Sequence, residues 1–498
     1  MSVAIGEWLQ QWMQKRSGEP AYRQLYRLLR QAILEGRLGP GARLPSSRQL
    51  AADLSVARNT VLQVYEQLAV EGYVSAATGR GTFVEDISHD LPVRARPVEH
   101  RQGAGPRAAA SGPRLSERGR RLMSSLGYSD RQYGAFMAGV PDVSAFPARQ
   151  WMRIQNRHWR MMRPELLSYA PSGGYPPLRQ ALSEHLGATR SVTSHAGQVV
   201  ITSGIHQAID VAVRLLCDVG DRVWIEEPAY WGIRNLMVSQ GLEVVGIPVD
   251  AQGINPRGHD LLHPPRLIIV TPSHQYPLGM VMSLARRRRL LEYARQHGCW
   301  ILEDDYDSDF RYGGRPLPSL QGLDEAGLVI YAGSFSKMLF PGLRVGYVVV
   351  PERLAGPFAS AVAELFREGQ LITQSVMADF LREGHVTSHM RKMRSRYAAR
   401  RACLIESVHA RYGTALRIVG DKAGLHLVLA LPRTADDVAI CRTAYQRGIM
   451  ARPLSSYYLL PERAQKGLVL GYAGVPEADI PNAFTVLADV IDTELRKS

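Results

Sequence analysis

Residues 334–347 read SFSKMLFPGLRVGY and place a single lysine, Lys337, in an otherwise apolar stretch. The hydroxyl groups of Ser334 and Ser336 precede this lysine, and Arg344 follows it. The stretch continues the apolar run LVIYAG, which is typical of a buried β-strand. A lysine at the end of a strand is usually a surface residue. The flanking hydroxyls and the arginine instead favour a site that holds a phosphate beside a lysine amine.

Short apolar runs and helical patterns alternate over most of the chain around this stretch. The runs include QVVITSG, RVWIEEP, RLIIVTPS, CWILEDDY and VGYVVVP, and HQAIDVAVRLLCDV is one of the helical segments between them. This alternation predicts an α/β fold with a mostly parallel sheet and helices on both faces. Ligands of such folds bind at the carboxyl ends of the strands. The polar residues that end the runs are therefore the candidate site.

Those polar residues form a consistent set. Ser203 and Gly204 end one run where a helix begins, and the backbone amides of a helix start bind anions. Tyr230 supplies an aromatic ring, and the run ILEDDYDSDF ends in carboxylates, of which Asp304 is favoured over Asp305. Pyridoxal 5′-phosphate (PLP) requires a lysine amine, a carboxylate facing its pyridine nitrogen, and groups that hold its ring and phosphate. The sequence therefore predicts a PLP site.

The beginning of the chain has a different pattern. SSRQLAADL and ARNTVLQVYEQLAVEG predict two helices joined by a short turn, and the second helix of such a pair enters the DNA major groove. Arg58, Asn59 and Thr60 at the start of that helix are residue types that reach base edges and phosphates. YVSAATGRGTFVE then predicts a two-stranded wing with Arg80 at its tip. We therefore expect a DNA-binding domain over residues 1–85.

A stretch rich in Pro, Gly, Ala and Arg follows this domain. Residues 86–116 contain too few large apolar side chains to fold, so we expect a flexible linker. Residues 117–498 then form the α/β domain, with a large subdomain over about 165–350 and a small subdomain built from the flanking segments. The formal net charge of the chain is +14, and basic residues outnumber acidic ones before residue 121. This balance favours a polyanionic partner.

Several classes of protein are not expected. The chain has no apolar run long enough to span a bilayer and no secretory signal pattern. Its four cysteines are far apart and lack the spacing of a metal site. We therefore expect a cytoplasmic protein without membrane association, disulfides or metal.

Residues 19–84 resemble the winged helix-turn-helix domain of GntR-type bacterial transcription regulators. The resemblance is carried by GARLPSSRQLA, by Arg58, Thr60 and Val61, and by GRGTFV. It implies a double-stranded DNA operator as the partner. It also implies that the DNA contacts come mainly from Arg48, Arg58, Thr60 and Arg80, with Asn59 beside them.

Residues from about 117 to the C-terminus resemble a fold-type I aminotransferase domain. A GntR-type reader, a linker and this domain in one chain resemble the MocR family of regulators. The resemblance implies that Lys337 holds the aldehyde of PLP as a Schiff base, Asp304 its pyridine nitrogen and Tyr306 its phenolic oxygen, while Tyr230 stacks on the ring. The phosphate would be surrounded by Ser203, Gly204, Ile205, Ser334, Ser336 and Arg344.

The chain departs from most aminotransferases at two places. Many of them carry Asn-Pro-x-Gly where this chain has Tyr276-Pro277-Leu278-Gly279, so the usual asparagine near the phenolic oxygen is absent. GLVLGYAG, residues 467–474, lacks the arginine that often binds the substrate carboxylate. Arg452 is the nearest alternative and the candidate effector-binding residue. These departures place sustained transamination in doubt and leave PLP binding intact.

Three functions from different classes remain open. The first is a homodimeric transcription regulator that senses PLP, or a small amine or amino acid joined to PLP. The second is an active aminotransferase with an accessory DNA-binding domain. The third is a structural use of the aminotransferase fold for dimerisation, which would not require Lys337. The sequence favours the first and does not name the effector, the operator or the direction of regulation.

Two further groups of residues carry expectations. The four arginines of residues 286–289 lie on a helix expected to begin near Ser283, and we expect them to form a solvated face. We expect His206, His263 and His274 to satisfy local hydrogen bonds rather than to bind ligands.

Overall fold

The protein is described by a computed structural model that covers residues 5, 8–9, 11–13, 19–77, 81–86, 115–124, 134–161, 163–313, 318–367 and 370–497. The chain divides into two compact units, Met1–Gly112 and Pro113–Ser498. Residues 87–114 of the expected linker and Arg80 of the expected wing tip lie outside the described residues.

A helix-turn-helix arrangement and a small antiparallel sheet build the N-terminal unit. The helices with described bounds are Ala21–Leu34, Ser47–Leu54 and Arg58–Val70. The strands are β1 (Val74–Ala77) and β2 (Gly81–Val84), which pair antiparallel. Leucine and valine side chains from all three helices form one core.

Local sequence fixes the turn between the second and third helices. The Ser46 side chain caps the second helix by accepting a hydrogen bond from the Gln49 amide at 3.1 Å. That helix ends at Ser55, which adopts a left-handed conformation with φ of 54°. The third helix begins three residues later, and its buried Tyr65 hydroxyl donates to the Pro45 carbonyl at 2.8 Å. The N-terminal residues of the third helix are thereby left at the surface.

An eight-stranded mixed sheet forms the centre of the C-terminal unit, in the order β3-β10-β9-β8-β7-β4-β5-β6. Neighbouring strands among β4, β5, β7, β8 and β9 pair in parallel, whereas β10 is antiparallel to β3 and β9, and β6 is antiparallel to β5. The strands are β3 (Val199–Thr202), β4 (Arg222–Glu227), β5 (Glu243–Asp250), β6 (Gly253–Ile254), β7 (Leu267–Val270), β8 (Trp300–Asp305), β9 (Val329–Ser334) and β10 (Gly346–Val349).

Both faces of this sheet are covered. Successive residues of a strand point to opposite faces, and Val200 packs in one buried cluster with the helix Ile205–Leu216, while Ile201 packs in another. On the same principle, Ile268 joins a third cluster with the helix Leu284–His297. The continuous apolar runs of the sequence are thus strands buried on two sides.

A four-stranded antiparallel sheet lies in the last part of the C-terminal unit, in the order β11-β12-β14-β13. Its strands are β11 (Ile418–Val419), β12 (His426–Ala430), β13 (Arg452–Pro453) and β14 (Gly467–Gly471). The helices of the unit are Glu117–Ser124, Ala148–Met161, Pro176–Arg190, Ile205–Leu216, Trp231–Ser239, His259–Leu262, Leu284–His297, Glu352–Phe366, Leu371–Arg382, His385–Tyr412, Asp437–Gln446 and Ile480–Leu495. Among the described residues, no helix is both long and apolar enough to cross a membrane.

The run of four arginines is only partly solvated. The helix begins after Ser283, whose side chain caps it, as expected. Arg288 and Arg289 are exposed, but the expectation is wrong for Arg286 and Arg287, which are buried. Arg287 donates to three backbone carbonyl oxygens at 2.8 to 3.1 Å. Arg286 and Arg287 lie on one side of the helix and Arg288 and Arg289 on another. The first two arginines therefore stabilise backbone segments next to the sheet.

Candidate functional site

A cavity of about 300 Å³ lies at the carboxyl ends of the central strands of the large sheet. The register places these ends side by side, since Ile225 of β4 pairs with Ile269 of β7, and Ile269 pairs with Leu302 of β8. The predicted site residues that line the cavity are Ile205, Tyr230, Asp304, Tyr306, Ser334, Ser336, Lys337, Arg344 and Arg452. Residues far apart in the sequence thus meet in one place.

Lys337 follows β9 and points its amine into this cavity. Its Nζ donates a hydrogen bond to the Gly139 carbonyl at 2.6 Å. Burial lowers the pKa of the Lys337 amine, while Asp307 and Asp304 act in the opposite direction. A lowered pKa favours the neutral amine, which is the nucleophilic form that reacts with an aldehyde.

The two carboxylates at the end of β8 lie on opposite sides of the strand, because side chains alternate along it. Asp304 lines the cavity, and its buried Oδ1 has no hydrogen-bond partner among the described residues. Asp305 points away and is bound by Arg190, with Nε 2.7 Å from Oδ2. Burial, with added repulsion from Asp305 and Asp307, raises the pKa of Asp304 to about 8. A cationic group beside Asp304 would satisfy its unpaired oxygen and favour the carboxylate.

Replacing Asp304 with asparagine is expected to stabilise the cofactor-free protein increasingly as the pH rises towards 8. The folded pKa of Asp304 lies above its unfolded value of about 4, so the folded state binds the extra proton, and wild-type stability falls as the pH rises through this window. Asparagine has the same shape and does not ionise. Unfolding of both proteins without PLP across this pH range measures the difference. A difference that does not change with pH would contradict the expectation. The variant should also bind PLP more weakly.

The other end of the cavity is suited to an anion. Arg344 forms no ion pair with a carboxylate in the part of the chain that the structure describes. Gly204 begins the helix Ile205–Leu216 with φ of +111°, and a Cβ at this position would lie 3.2 Å from the Arg344 guanidinium. Glycine is therefore required where the helix start, with its unpaired amides, approaches the arginine. Ser334 and Ser336 line the same cavity.

Ser203 does not lie with the other residues predicted to bind the phosphate. It is exposed and lines a neighbouring pocket that shares Arg344, and it does not line the cavity of Lys337. Gly204 does not line that cavity either, although it contacts Arg344 closely. Of Ser203, Gly204 and Ile205, only Ile205 lines the cavity of Lys337.

Aromatic side chains form much of the cavity wall. Tyr230 precedes the helix Trp231–Ser239, and its hydroxyl lies 3.3 Å from Nε2 of His206. The Tyr306 hydroxyl lies 2.8 Å from Nδ1 of His274. Tyr276, at the position of the absent asparagine, has its hydroxyl 3.2 Å from that of Tyr457. His274 thus satisfies a local hydrogen bond, as expected, and His206 also lines the cavity.

Arg452 lies at the cavity without a carboxylate partner among the described residues. The nearest polar contact of its guanidinium is the Met137 sulfur, at 3.9 Å. Two arginines, Arg344 and Arg452, therefore face one cavity with free hydrogen-bonding capacity. Such a pair is suited to a ligand with two anionic groups, because guanidinium groups bind both phosphate and carboxylate.

Sequence reasoning missed several residues of the cavity. Gly139 and Met137 belong to a segment before the large sheet that carries no motif, and Tyr457 follows the distant strand β13. Glu226 could have been found, because it is the second-last residue of β4, as Asp304 is of β8. Burial raises the pKa of Glu226 to about 7.

PLP fits this site. The unpaired oxygen of Asp304, the reactive amine of Lys337, the glycine at the helix start and the free guanidinium of Arg344 are the groups that the cofactor requires.

The DNA-reading surface predicted in the N-terminal unit is formed by the start of the helix Arg58–Val70. Arg48, Arg58 and Asn59 are exposed, and Thr60 is half-buried. Arg58 Nε donates to the Ser47 hydroxyl at 3.4 Å, which places the guanidinium between the two helices of the motif. Arg80 lies outside the described residues.

Fold and site together define a PLP-binding aminotransferase-type domain joined to a winged helix-turn-helix domain. A family model for class I and II aminotransferases matches residues 137–487, and one for bacterial regulatory proteins of the gntR family matches residues 21–84. Known aminotransferase structures are similar: the kynurenine aminotransferase of Pyrococcus horikoshii, solved in complex with PMP, aligns with a TM-score of 0.67 and 26% identity, covering 77% of this chain and 96% of that one.

Two relatives align with this chain over both of its domains. The chain is 40% identical to the probable rhizopine catabolism regulatory protein MocR of Rhizobium meliloti, over 92% of this chain and 90% of the relative. It is 30% identical to the pyridoxine biosynthesis transcriptional regulator PdxR of Corynebacterium glutamicum, over 94% and 95% of the two chains. The chain belongs to the MocR-type transcription regulators of the GntR family. The fold class, the family and the cofactor expected from the sequence are confirmed.

Proposed function

We propose that this regulator senses an amino acid, or another small carboxylated amine, that joins PLP in the C-terminal cavity. The observation that carries the proposal is that two arginines, Arg344 and Arg452, line the cavity of Lys337 without a carboxylate partner among the described residues. Arg344 would hold the phosphate of PLP. The second guanidinium is then left for the carboxylate of an effector.

PLP, when bound, supplies an aldehyde that exchanges one primary amine for another. Lys337 would anchor that aldehyde, Asp304 would keep the pyridine nitrogen protonated, Tyr306 would bind the phenolic oxygen and Tyr230 would stack on the ring. Ile205, Ser334, Ser336, Arg344 and the amides that follow Gly204 would hold the phosphate, and Ser203 would support them from the neighbouring pocket. An effector amine would take the place of Lys337, and the released Lys337 amine would then donate a hydrogen bond to the Gly139 carbonyl, as it does without PLP.

The partner of the N-terminal unit would be a double-stranded operator, bound by a cytoplasmic homodimer. Contacts would come from Arg48, Arg58, Asn59, Thr60 and Arg80, with Arg58 and Asn59 reading base edges from the helix start. Two readers on one dimer would bind two half-sites.

Replacing Arg452 with glutamine is expected to weaken binding of carboxylated amines about 10- to 100-fold, because a charge-assisted hydrogen bond contributes about 1.5–3 kcal/mol. Binding of amines without a carboxylate should change little. The measurement is the change in visible absorbance of the PLP-loaded protein on titration with an amino acid and with the matching decarboxylated amine. Arg447→Gln, at an exposed arginine that does not line the cavity, is the matched control. Equal weakening for both ligands would contradict the role of Arg452.

A further inference from the structure

A buried histidine–aspartate pair lies directly behind Tyr306. His274 and Asp307 are 1% and 2% exposed, so both side chains are shielded from bulk solvent. Nδ1 of His274 lies 2.8 Å from the Tyr306 hydroxyl and 3.1 and 3.2 Å from the two oxygens of Asp307. The three side chains form one connected hydrogen-bond relay whose outer member lines the cofactor cavity.

The chemistry of the groups decides where the protons are. Burial raises the pKa of Asp307, while His274 acts in the opposite direction. The two oxygens of Asp307 lie at nearly equal distance from Nδ1, which favours an ionised carboxylate and a proton on that nitrogen, because a neutral carboxyl group would donate from one oxygen only. Without the proton, the Nδ1 lone pair would face both oxygens at close range in a buried site. Nε2 of His274 is buried without a partner among the described residues, which a bare lone pair tolerates better than an N–H group does.

The same proton settles the direction of the Tyr306 hydrogen bond. If Nδ1–H is shared between Asp307 and Tyr306, the Tyr306 oxygen accepts, and its own proton is free. Burial raises the pKa of the Tyr306 hydroxyl well above its usual value, so the hydroxyl keeps this proton and can donate it in a hydrogen bond. Among the described residues, the Tyr306 hydroxyl has no hydrogen-bond partner besides His274, and it lines the cavity, so its free proton is available to an acceptor there.

We propose that Asp307 and His274 are positioning residues that fix the Tyr306 hydroxyl as a hydrogen-bond donor towards the phenolic oxygen of PLP. The inference rests on the cofactor site of the proposed function. It also accounts for the missing asparagine, because Tyr276 at that position directs its hydroxyl to Tyr457, which leaves Tyr306 as the donor that must be oriented.

A metal ion is the competing explanation for the same residues. The ligand atoms of His274, Asp307 and His426 lie within 4.8 Å of one another. Nε2 of His426 lies 2.9 Å from the Pro277 carbonyl, which only accepts, so this nitrogen carries a proton and Nδ1 of His426 stays available to a metal. A metal bound to Nδ1 of His274 would, however, displace its proton and the bond to Tyr306. The hydrogen bonds of His274 and Asp307 therefore use two of the three groups that a metal would need.

The test follows the pH at which the visible absorbance of the PLP-loaded protein titrates. A donor stabilises the phenolic oxygen most when that oxygen carries a full negative charge, so losing the donor raises the titration midpoint. Asp307→Leu frees His274 to accept the Tyr306 proton, and the midpoint should rise by about 1–2 pH units. Tyr306→Phe should produce a similar rise, and the double variant no further rise, because Asp307 acts through Tyr306.

His274 gives a second, opposite expectation. In Asp307→Leu combined with His274→Leu, nothing remains to accept the Tyr306 proton except the cofactor, so the midpoint should return towards the wild-type value. A merely structural role of Asp307 would not be rescued by removing a second buried residue. Tyr472→Phe is the matched control, because the Tyr472 hydroxyl donates to the Gly424 carbonyl at 2.7 Å and does not line the cavity.

Each remaining outcome overturns a defined statement. An unchanged midpoint in Asp307→Leu, with PLP still attached, would overturn the relay and leave the cofactor site standing. The relay would also be overturned if the wild-type protein contained a bound metal and its removal by a chelator changed the spectrum as Asp307→Leu does. Failure of the wild-type protein to take up PLP would overturn the proposed function and the relay together.

Discussion

Replacing Lys337 with alanine is expected to abolish covalent attachment of PLP completely. Lys337 is the one lysine among the described residues that line the cavity, and burial lowers the pKa of its amine, which favours the nucleophilic form. The variant keeps the groups proposed for the phosphate and the pyridine nitrogen, so it should still bind PLP reversibly. The measurement is treatment with borohydride, which fixes a lysine-linked cofactor, followed by mass spectrometry of the intact chain.

The control for this experiment is Lys392→Ala, at an exposed lysine on the helix His385–Tyr412. It should retain the fixed cofactor and the visible absorbance of the wild-type protein. If borohydride still fixed PLP on the Lys337 variant, a different lysine would be the anchor, and the assignment of the cavity would be wrong.

Replacing Arg58 with alanine is expected to weaken operator binding by about 1–3 kcal/mol, the range for one base-contacting side chain. Arg58 is the first residue of the third N-terminal helix, and among the described residues its exposed guanidinium contacts the Ser47 hydroxyl alone. Truncation should therefore leave the fold intact, because the residue adds nothing to the core. Equilibrium binding to an operator fragment, and to a fragment of unrelated sequence, measures the effect.

Arg27→Ala is the matched control for Arg58. Arg27 is an exposed arginine of the first helix that pairs with Glu19 at 3.1 Å, and its loss should change affinity little. Wild-type affinity should also fall steeply with salt, because arginine contacts release counterions from DNA. Equal operator affinities of Arg58→Ala and Arg27→Ala, or operator binding that does not change with salt, would contradict the assignment of the DNA-reading surface.

The sequence predicted the parts of the site that single motifs carry. Lys337 and Arg344 stand in one stretch, and the alternation of side chains along a strand separates Asp304 from Asp305 once β8 is placed. Parallel strands bring their carboxyl ends together, so residues from β4, β8 and β9 could be expected in one cavity.

The remaining residues depend on packing that no local pattern encodes. Gly139 approaches Lys337 from a segment nearly two hundred residues away in sequence, and the carbonyl it offers is backbone chemistry that any residue shares. From the sequence, Arg287 is expected on a charged surface, but its position on the helix directs it to three backbone carbonyl oxygens inside the fold. Similarly, nothing local indicates that His274 and Asp307 meet behind Tyr306.

In the proposed function, PLP and its effector in the C-terminal cavity control DNA binding by the N-terminal unit. An effector changes that equilibrium only if it binds the DNA-competent and incompetent states with different affinity. A coupling free energy of about 1–3 kcal/mol is typical, and operator DNA must change effector affinity by the same factor. The coupling can therefore be measured either as the effect of the effector on operator affinity or as the effect of the operator on effector affinity.

The most direct measurement is operator affinity of the full chain without PLP, with PLP, and with PLP plus individual amino acids. We expect at least one of these states to differ from the others by about 5- to 150-fold, with the reciprocal change in effector affinity when operator is present. Identical operator affinity in every state, together with steady turnover of an amino acid and a keto acid, would contradict the proposed regulatory function. It would establish aminotransferase activity as the function instead.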